Sequence, residues 1–406
     1  MYNTLMEKTW KRNLRAFILG QSISLFGSSL VQYAIMWHIT LTTKSGTIMT
    51  LSIIAGFLPT LFLSPFAGIW ADRYDRKRLI VLADGGIALV TLFTVIAYAL
   101  GYGSIGLLLV ISAVRALGSA IHGPSVNAFV PELVPEDQLM RIQGLNSGVQ
   151  SAIMIISPIV SAFLLANFSL ALIFSIDIIT AILGIVTLLV FVKPITKRQI
   201  QEHSSYLKDL KSGIEYIRNH RFLIPFFVIV ALVMFLIAPV AFLTTLQTVF
   251  KFGDAPWRLS AIEVAFASGM MLGGFALSRF QGFKNRIQTM AVSLGFMAIL
   301  SIALSLSNNF TMYMLVMFSF GISIPYYNAP ANVMIQEKVE ANYLGRVFSV
   351  LGMISSSTMP LSMIIFGPLA DVWSVDGIMI AAGIAMLVLT LRILTHPILM
   401  QEGLRH

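Results

Sequence analysis

Apolar runs and short polar breaks alternate along the whole of this 406-residue chain. Twelve of the runs approach the ~20 residues with which a helix crosses the hydrocarbon of a membrane. They lie at roughly 16–40, 47–70, 79–100, 105–129, 143–166, 170–193, 222–250, 259–279, 287–307, 311–334, 346–368 and 377–396. The breaks are short, Gly101–Ser104 and Asn167–Ser169 for example, and leave no room for a domain outside the membrane. The exception is Pro194–Arg221. There Leu207, Leu210, Ile214 and Ile217 recur at helical spacing, while Lys208, Lys211 and Arg218 stand off that stripe. This predicts an amphipathic helix lying on the inner membrane surface. The pattern as a whole predicts an all-α membrane protein, with six-helix bundles over 1–193 and 222–406 joined by a linker over 194–221.

The two bundles repeat one another. Glu132, Val134, Leu139 and Arg141 recur at the same intervals as Glu337, Val339, Leu344 and Arg346. Each set follows an apolar run containing a proline (Pro124, Pro330) and precedes another that does (Pro158, Pro360). Upstream, Ala67-Gly68-Ile-Trp-Ala-Asp72-Arg73-Tyr74 is echoed by Gly273-Gly274-Phe-Ala-Leu-Ser278-Arg279-Phe280. Parallel halves in a membrane protein suggest a transporter whose site lies between them.

Composition supports the membrane reading. Apolar residues make up 57% of the chain and charged residues 11%, against about 25% charged in a soluble domain. The first apolar run is long and followed by further spans, so it reads as a helix and not as a cleaved signal. If the N-terminus lies inside, most of the 27 Lys and Arg fall on cytoplasmic segments, with Lys44, Lys251 and Arg258 outside. That bias places both termini in the cytoplasm. It also accounts for the net charge of +9, which points to anionic membrane lipid and not to nucleic acid.

Several chemistries are excluded. There is no cysteine, hence no disulfide, thiolate metal site or cysteine nucleophile. The six histidines form no close cluster, so no metal site is expected. Gly101-x-Gly103-x-x-Gly106 has dinucleotide spacing but falls in a turn between two membrane helices, with no strand before it. No phosphate-binding Gly-x4-Gly-Lys-Ser/Thr is present, so the chain encodes no ATP site. An enzyme is not expected, and no cofactor.

Four features carry candidate mechanism. The loop Gly68-Ile-Trp-Ala-Asp72-Arg73-Tyr-Asp75-Arg76-Lys-Arg78 follows the second span. Gly68 permits close helix approach. Asp72 can face the positive N-terminal end of a helix that starts on the same side, such as the eleventh span beside Arg346. Such a contact would latch the cytoplasmic side shut, with Arg73, Arg76 and Arg141 nearby in the loops. The fifth span carries Gly148-x8-Ser157-Pro158-x2-Ser161-Ala162, small residues and a proline that allow a bent, tightly packed helix. Arg115 lies within the fourth span, where an unpaired charge costs about 2.5–3.5 kcal/mol. Asp84, Asp177 and Glu263 are the acids that could pair with it or carry a proton. Gln21, Gln32, Asn127, Asn146, Gln150, Gln247 and Asn328 are polar positions expected at a central cavity, among aromatics and methionines whose flexibility suits varied shapes.

These motifs resemble those of the major facilitator superfamily. The loop from Gly68 is similar to its cytoplasmic signature, with Asp75 where that signature has a glycine, which leaves the turn geometry open. The run from Gly148 is similar to its antiporter signature, and Arg115-Ala-Leu-Gly118 to its arginine motif, one residue short. Together with Arg115 through Pro124, Ile262-Glu263, Gly269 through Gly274 and Glu337 through Ser349, they resemble the macrolide efflux proteins across essentially the whole chain. The resemblance implies a monomeric, proton-driven exporter of small amphipathic compounds in a bacterial plasma membrane. Siderophore exporters and lysophospholipid or nutrient importers of the same fold share much of this pattern and remain open.

Overall fold

The structure, a computed structural model, describes residues 2–194 and 206–404. Helices run over Tyr2–Thr43 (α1), Gly46–Arg73 (α2), Arg76–Ala99 (α3), Ile105–Leu133 (α4), Leu139–Asn167 (α5), Leu170–Phe191 (α6), Tyr206–Asn219 (α7), Leu223–Ala238 (α8), Thr244–Phe252 (α9), Pro256–Arg279 (α10), Arg286–Leu306 (α11), Phe310–Lys338 (α12), Leu344–Val372 (α13), Val375–Leu394 (α14) and Pro397–Glu402 (α15). Twelve stretches are long and apolar enough to span a membrane, α8 and α9 together making one of them, Leu223–Phe252. Helices are what the hydrocarbon requires, since every backbone polar group must be satisfied within its own segment. Where Pro239 removes an N–H inside the α8–α9 span, Pro239–Leu243 widens into a π-turn that absorbs the mismatch.

The helices form two compact units. One comprises 1–39 and 51–203; the other comprises 40–50 and 204–406. The end of α1 and the first turn of α2 therefore group with the second unit, a detail absent from the sequence pattern.

In the first unit α3 packs against α4 and α6; in the second α11 packs in the same way against α12 and α14. The repeated glutamate does the same work in both. Glu132 on α4 holds Arg76, the first residue of α3, at 2.7 Å, and Glu337 on α12 holds Arg286, the first residue of α11. An apolar core of Leu14, Phe17, Ile80, Phe129, Ile142 and Leu188 ties α1, α3, α4, α5 and α6 together, with Phe17 and Phe129 edge to face at 5.5 Å.

The helix expected on the membrane surface forms as α7, but it packs against the start of α13. A Cβ on Gly213 would come within 3.0 Å of the Arg346 carbonyl. The Tyr216 ring stacks on Tyr343 at 4.4 Å, and Ile217 is buried. Half of Ile214 stays exposed. The apolar stripe thus meets protein along part of its length, because helix periodicity marks a face without naming what covers it. Residues 195–205 of the linker, and the side chains of Leu207 and Lys208, lie outside the described residues.

In the second unit α10 and α12 cross backbone to backbone. A Cβ on Gly269 would sit 2.0 Å from the Phe318 carbonyl oxygen, and one on Gly321 2.2 Å from that of Phe266. Small residues let membrane helices gain packing that lipid cannot supply. Gly269→Ala should therefore push the helices apart at a cost of about 1–3 kcal/mol. Gly274→Ala, whose Cβ meets nothing within 4 Å, should be silent. Melting temperatures of the two purified variants check this.

Candidate functional site

Two hollows open along the seam of α1, α4 and α5 in the first unit. The larger holds about 420 Å³ beside Gln32, Tyr33, Met36, Gln150 and Met154. The smaller holds about 160 Å³ beside Phe17, Gln21, His122, Asn127, Asn146 and Gln150. Leu25 and Gln150 border both. Gln21 and Gln32 are three helical turns apart, and Asn146 and Gln150 one turn apart, so each pair shares a helix face. The structure thereby brings five of the expected cavity amides, Gln21, Gln32, Asn127, Asn146 and Gln150, to one place. Neutral amides among apolar, aromatic and thioether side chains suit an amphipathic compound.

Behind the smaller hollow stands a polar cluster. His122 Nε2 on α4 lies 2.9 Å from Gln21 Oε1 on α1 and 3.3 Å from Asp84 Oδ1 on α3. Asp84 does not line the hollow; His122 does. Asp84 is 5% exposed and Gln21 9%. Asp84 Oδ2 and Gln21 Nε2 have no hydrogen-bond partner among the described residues.

Arg115 has a different acid. Its guanidinium meets Asp177 Oδ2 on α6 at 2.5 Å and Thr91 on α3. Ser28 on α1 donates to Asp177 Oδ1 at 3.1 Å, and Thr91 to Oδ2 at 3.3 Å. One carboxylate, fully buried, thus ties four helices. The partner of Arg115 is Asp177 and not Asp84.

The run from Gly148 divides by role. Ser157, Pro158, Ser161 and Ala162 are buried, and the Ser161 hydroxyl donates to the Leu30 carbonyl on α1 at 3.1 Å. A Cβ on Gly148 would meet nothing within 4 Å, so that glycine borders open space one turn from the hollow.

Comparison with known proteins adds the family. The Major Facilitator Superfamily model matches residues 17–363. Macrolide efflux protein A of Streptococcus pyogenes is 31% identical over 373 residues, 90% of this chain and 92% of that protein. The chain belongs to the major facilitator superfamily. Macrolide efflux protein A of Enterococcus faecalis is 32% identical over 324 residues, 78% of this chain and all of that protein. The crystal structure of a bacterial homologue of the iron transporter ferroportin, in an inward-facing state, shares the fold with a TM-score of 0.72 at 13% identity, covering 95% of this chain and 99% of that one.

The superfamily's signature loop is rebuilt around Asp75. That residue is extended (φ −64°, ψ 114°), and its carboxylate accepts from the Arg78 N–H at 2.8 Å. It is the N-cap of α3, so no left-handed glycine is needed there. Arg76 donates to the Ala71 and Ala128 carbonyls at 2.9 Å each and stands 3.7 Å from Asp72. The Arg346 guanidinium lies 5.4 Å over the Tyr343 ring. Gly68 has open space around its Cβ position, and Arg73 and Arg141 are exposed.

The remaining candidates are scattered over the second unit of this superfamily member. Gln247 is buried, donating to Asp376 at 2.5 Å and accepting from the Tyr313 hydroxyl at 2.7 Å, and Lys251 pairs with the same carboxylate at 3.1 Å. Its amide is committed to fastening helices. Asn328 is exposed on α12, and Glu263 is half-buried on α10.

Two residues escaped the sequence reading. His122 falls in the run from Arg115 to Pro124 and among the histidines that form no metal cluster, and neither pattern points to Gln21 or Asp84 as its partners. Asp371, on α13, accepts from the Gly46 N–H at 2.5 Å, the Thr47 N–H at 2.9 Å and the Ser45 hydroxyl at 2.9 Å, and so caps the start of α2. Gly367 lets the backbones touch: its Cβ would lie 2.7 Å from the Gly46 oxygen. The signal was present, since Gly367-x-x-x-Asp371 repeats the spacing Gly68-x-x-x-Asp72.

Proposed function

We propose that this chain exports amphipathic, macrolide-like compounds from the cytoplasm or inner leaflet in exchange for protons. The observation that carries the reading is the amide, aromatic and methionine seam of the first unit in a chain 31–32% identical to proteins named macrolide efflux protein A. The protein works as a monomer in the bacterial plasma membrane, with both termini cytoplasmic, lipid around the spans and no cofactor beyond the proton-motive force. Access alternates by rocking of the two six-helix halves, α1–α6 against α8–α14. Asp72 caps the start of α13 when the cytoplasmic side is shut; Asp371 caps the start of α2 when the outer side is shut. Both caps rest on the attraction between a carboxylate and a helix N-terminus.

The test is a panel of erythromycin, ethidium and a siderophore in a bacterial strain lacking its own exporters, followed by uptake into inverted vesicles. Erythromycin should accumulate with a proton gradient and no ATP. Collapse of the gradient should abolish accumulation. Restoration by sodium instead, or transport of the siderophore alone, defeats the reading.

A further inference from the structure

We propose that Asp84, His122 and Gln21 form the site at which a proton and a cationic substrate displace one another. The inference rests on the proposed export by proton exchange and names where the exchange occurs and the class of substrate, an amphipathic monocation.

The first support is charge. Apart from the Tyr33 phenol, His122 is the one titratable side chain lining either hollow. Within these linings, charge is offered to a guest by His122 and the carboxylate behind it. The other charges on the surrounding helices have partners of their own or lie toward the helix ends. Arg115 on α4 and Asp177 on α6 neutralise each other. Glu132 on α4 pairs with Arg76 of α3. Lys11, Arg12 and Arg15 on α1 flank Leu14, which packs with Ile80 and Leu133 at that same end; Lys77 and Arg78 on α3 and Arg141 on α5 lie in the first turns of their helices there, and His38 lies near the other end of α1.

The second support is hydrogen-bond chemistry. One ring nitrogen, Nε2, faces two acceptors, Gln21 Oε1 and Asp84 Oδ1. A hydrogen on Nε2 serves both acceptors, and that tautomer leaves Nδ1 as the open position of the neutral ring. Among the described residues Asp84 Oδ2 and Gln21 Nε2 are buried without partners, an arrangement that structural polar groups rarely show. The cluster is built to gain a partner.

The balance is simple. With His122 neutral and Asp84 ionised the site carries one negative charge and attracts a cation into the hollow. A proton added at Nδ1 makes an imidazolium–carboxylate pair of zero net charge, and the cation loses its counter-ion. Departure of the proton from Nδ1 to water restores the site. Exchange of one proton for one monocation moves no net charge and draws on the pH difference alone.

The test uses the purified full-length chain and tetraphenylphosphonium, a permanent monocation with no proton of its own. Wild-type Kd should fall as pH rises, by up to about tenfold per pH unit while the proton occupies the site. Addition of the probe should release a proton to an indicator in weak buffer. Asp84→Asn and His122→Gln should each flatten the pH dependence and abolish the release, with size-exclusion elution confirming the fold. His122→Arg, a fixed positive charge, should prevent binding at every pH. A wild-type slope and release in both neutral variants, loss of both in Glu263→Gln alone, or a wild-type chain that does not bind the probe overturns the proposal. Reconstituted wild-type chain separates the two readings. If a proton gradient drives no erythromycin transport, export by proton exchange fails; if it does and the variants still release protons, only this site is wrong.

Discussion

Asp177→Ala should leave the protein barely folded. The substitution strands the Arg115 guanidinium among α1, α3, α4 and α6, where Asp177 is its carboxylate at 2.5 Å. Removing one partner of a buried pair costs about 3–5 kcal/mol, a large share of the stability of any domain. Detergent-solubilised yield and melting temperature should both drop sharply. Arg115→Ala should be less severe for the fold, since the Asp177 carboxylate keeps the Ser28 and Thr91 hydroxyls. The double variant Arg115→Leu, Asp177→Leu removes both charges and should recover most of the lost melting temperature, as apolar replacements of buried pairs commonly do. If the double variant is no better folded than Asp177→Ala, the pair is more than a fastening, and its charges are needed as charges.

Opposite displacements of one equilibrium are expected from the two caps. A helix cap contributes about 0.5–2 kcal/mol, and a change of one to two kcal/mol shifts a two-state ratio by roughly 5–30-fold. In the proposed cycle Asp371→Ala releases the start of α2 and favours the state open to the outside; Asp72→Ala releases the start of α13 and favours the state open to the cytoplasm. The chain has no cysteine, so Tyr74→Cys and Asn342→Cys supply the only two sites for spin labels. The distance distribution between them should move toward the shorter population in Asp371→Ala and toward the longer one in Asp72→Ala. Both single variants should slow erythromycin efflux, because each biases a cycle that must visit both states. Displacement in the same direction by both variants would remove one of the latches.

Much of this molecule was legible without coordinates, and the reason is the solvent. Hydrocarbon admits only long apolar helices, so the spans could be read from composition, to within a few residues for all but the first, whose helix starts at Tyr2 and not near 16, and the repeat of Glu132 and Glu337 marked equivalent positions before either was seen holding an arginine. Amides at Gln21, Gln32, Asn146 and Gln150 stood out because polar side chains inside a span are costly unless they face a cavity or a partner. The same reasoning over-reached at Gln247, which met the criterion by having a partner instead of a cavity.

What only the tertiary structure decided is which neighbour each side chain meets. A sequence gives the depth of a residue along its helix, but not the rotation of that helix or the choice of helix beside it. Asp84 and Asp177 were therefore equivalent partners for Arg115 until the crossing of α3, α4 and α6 placed one at 2.5 Å and the other beside His122. The histidine was invisible for the same reason: its partners Gln21 and Asp84 are distant in the chain and join it only where α1, α3 and α4 meet. Asp371 likewise acquires its role from the start of α2, more than three hundred residues earlier in the chain. Burial in the membrane makes helices a local property of the chain; the pairing of charges within it depends on how those helices pack.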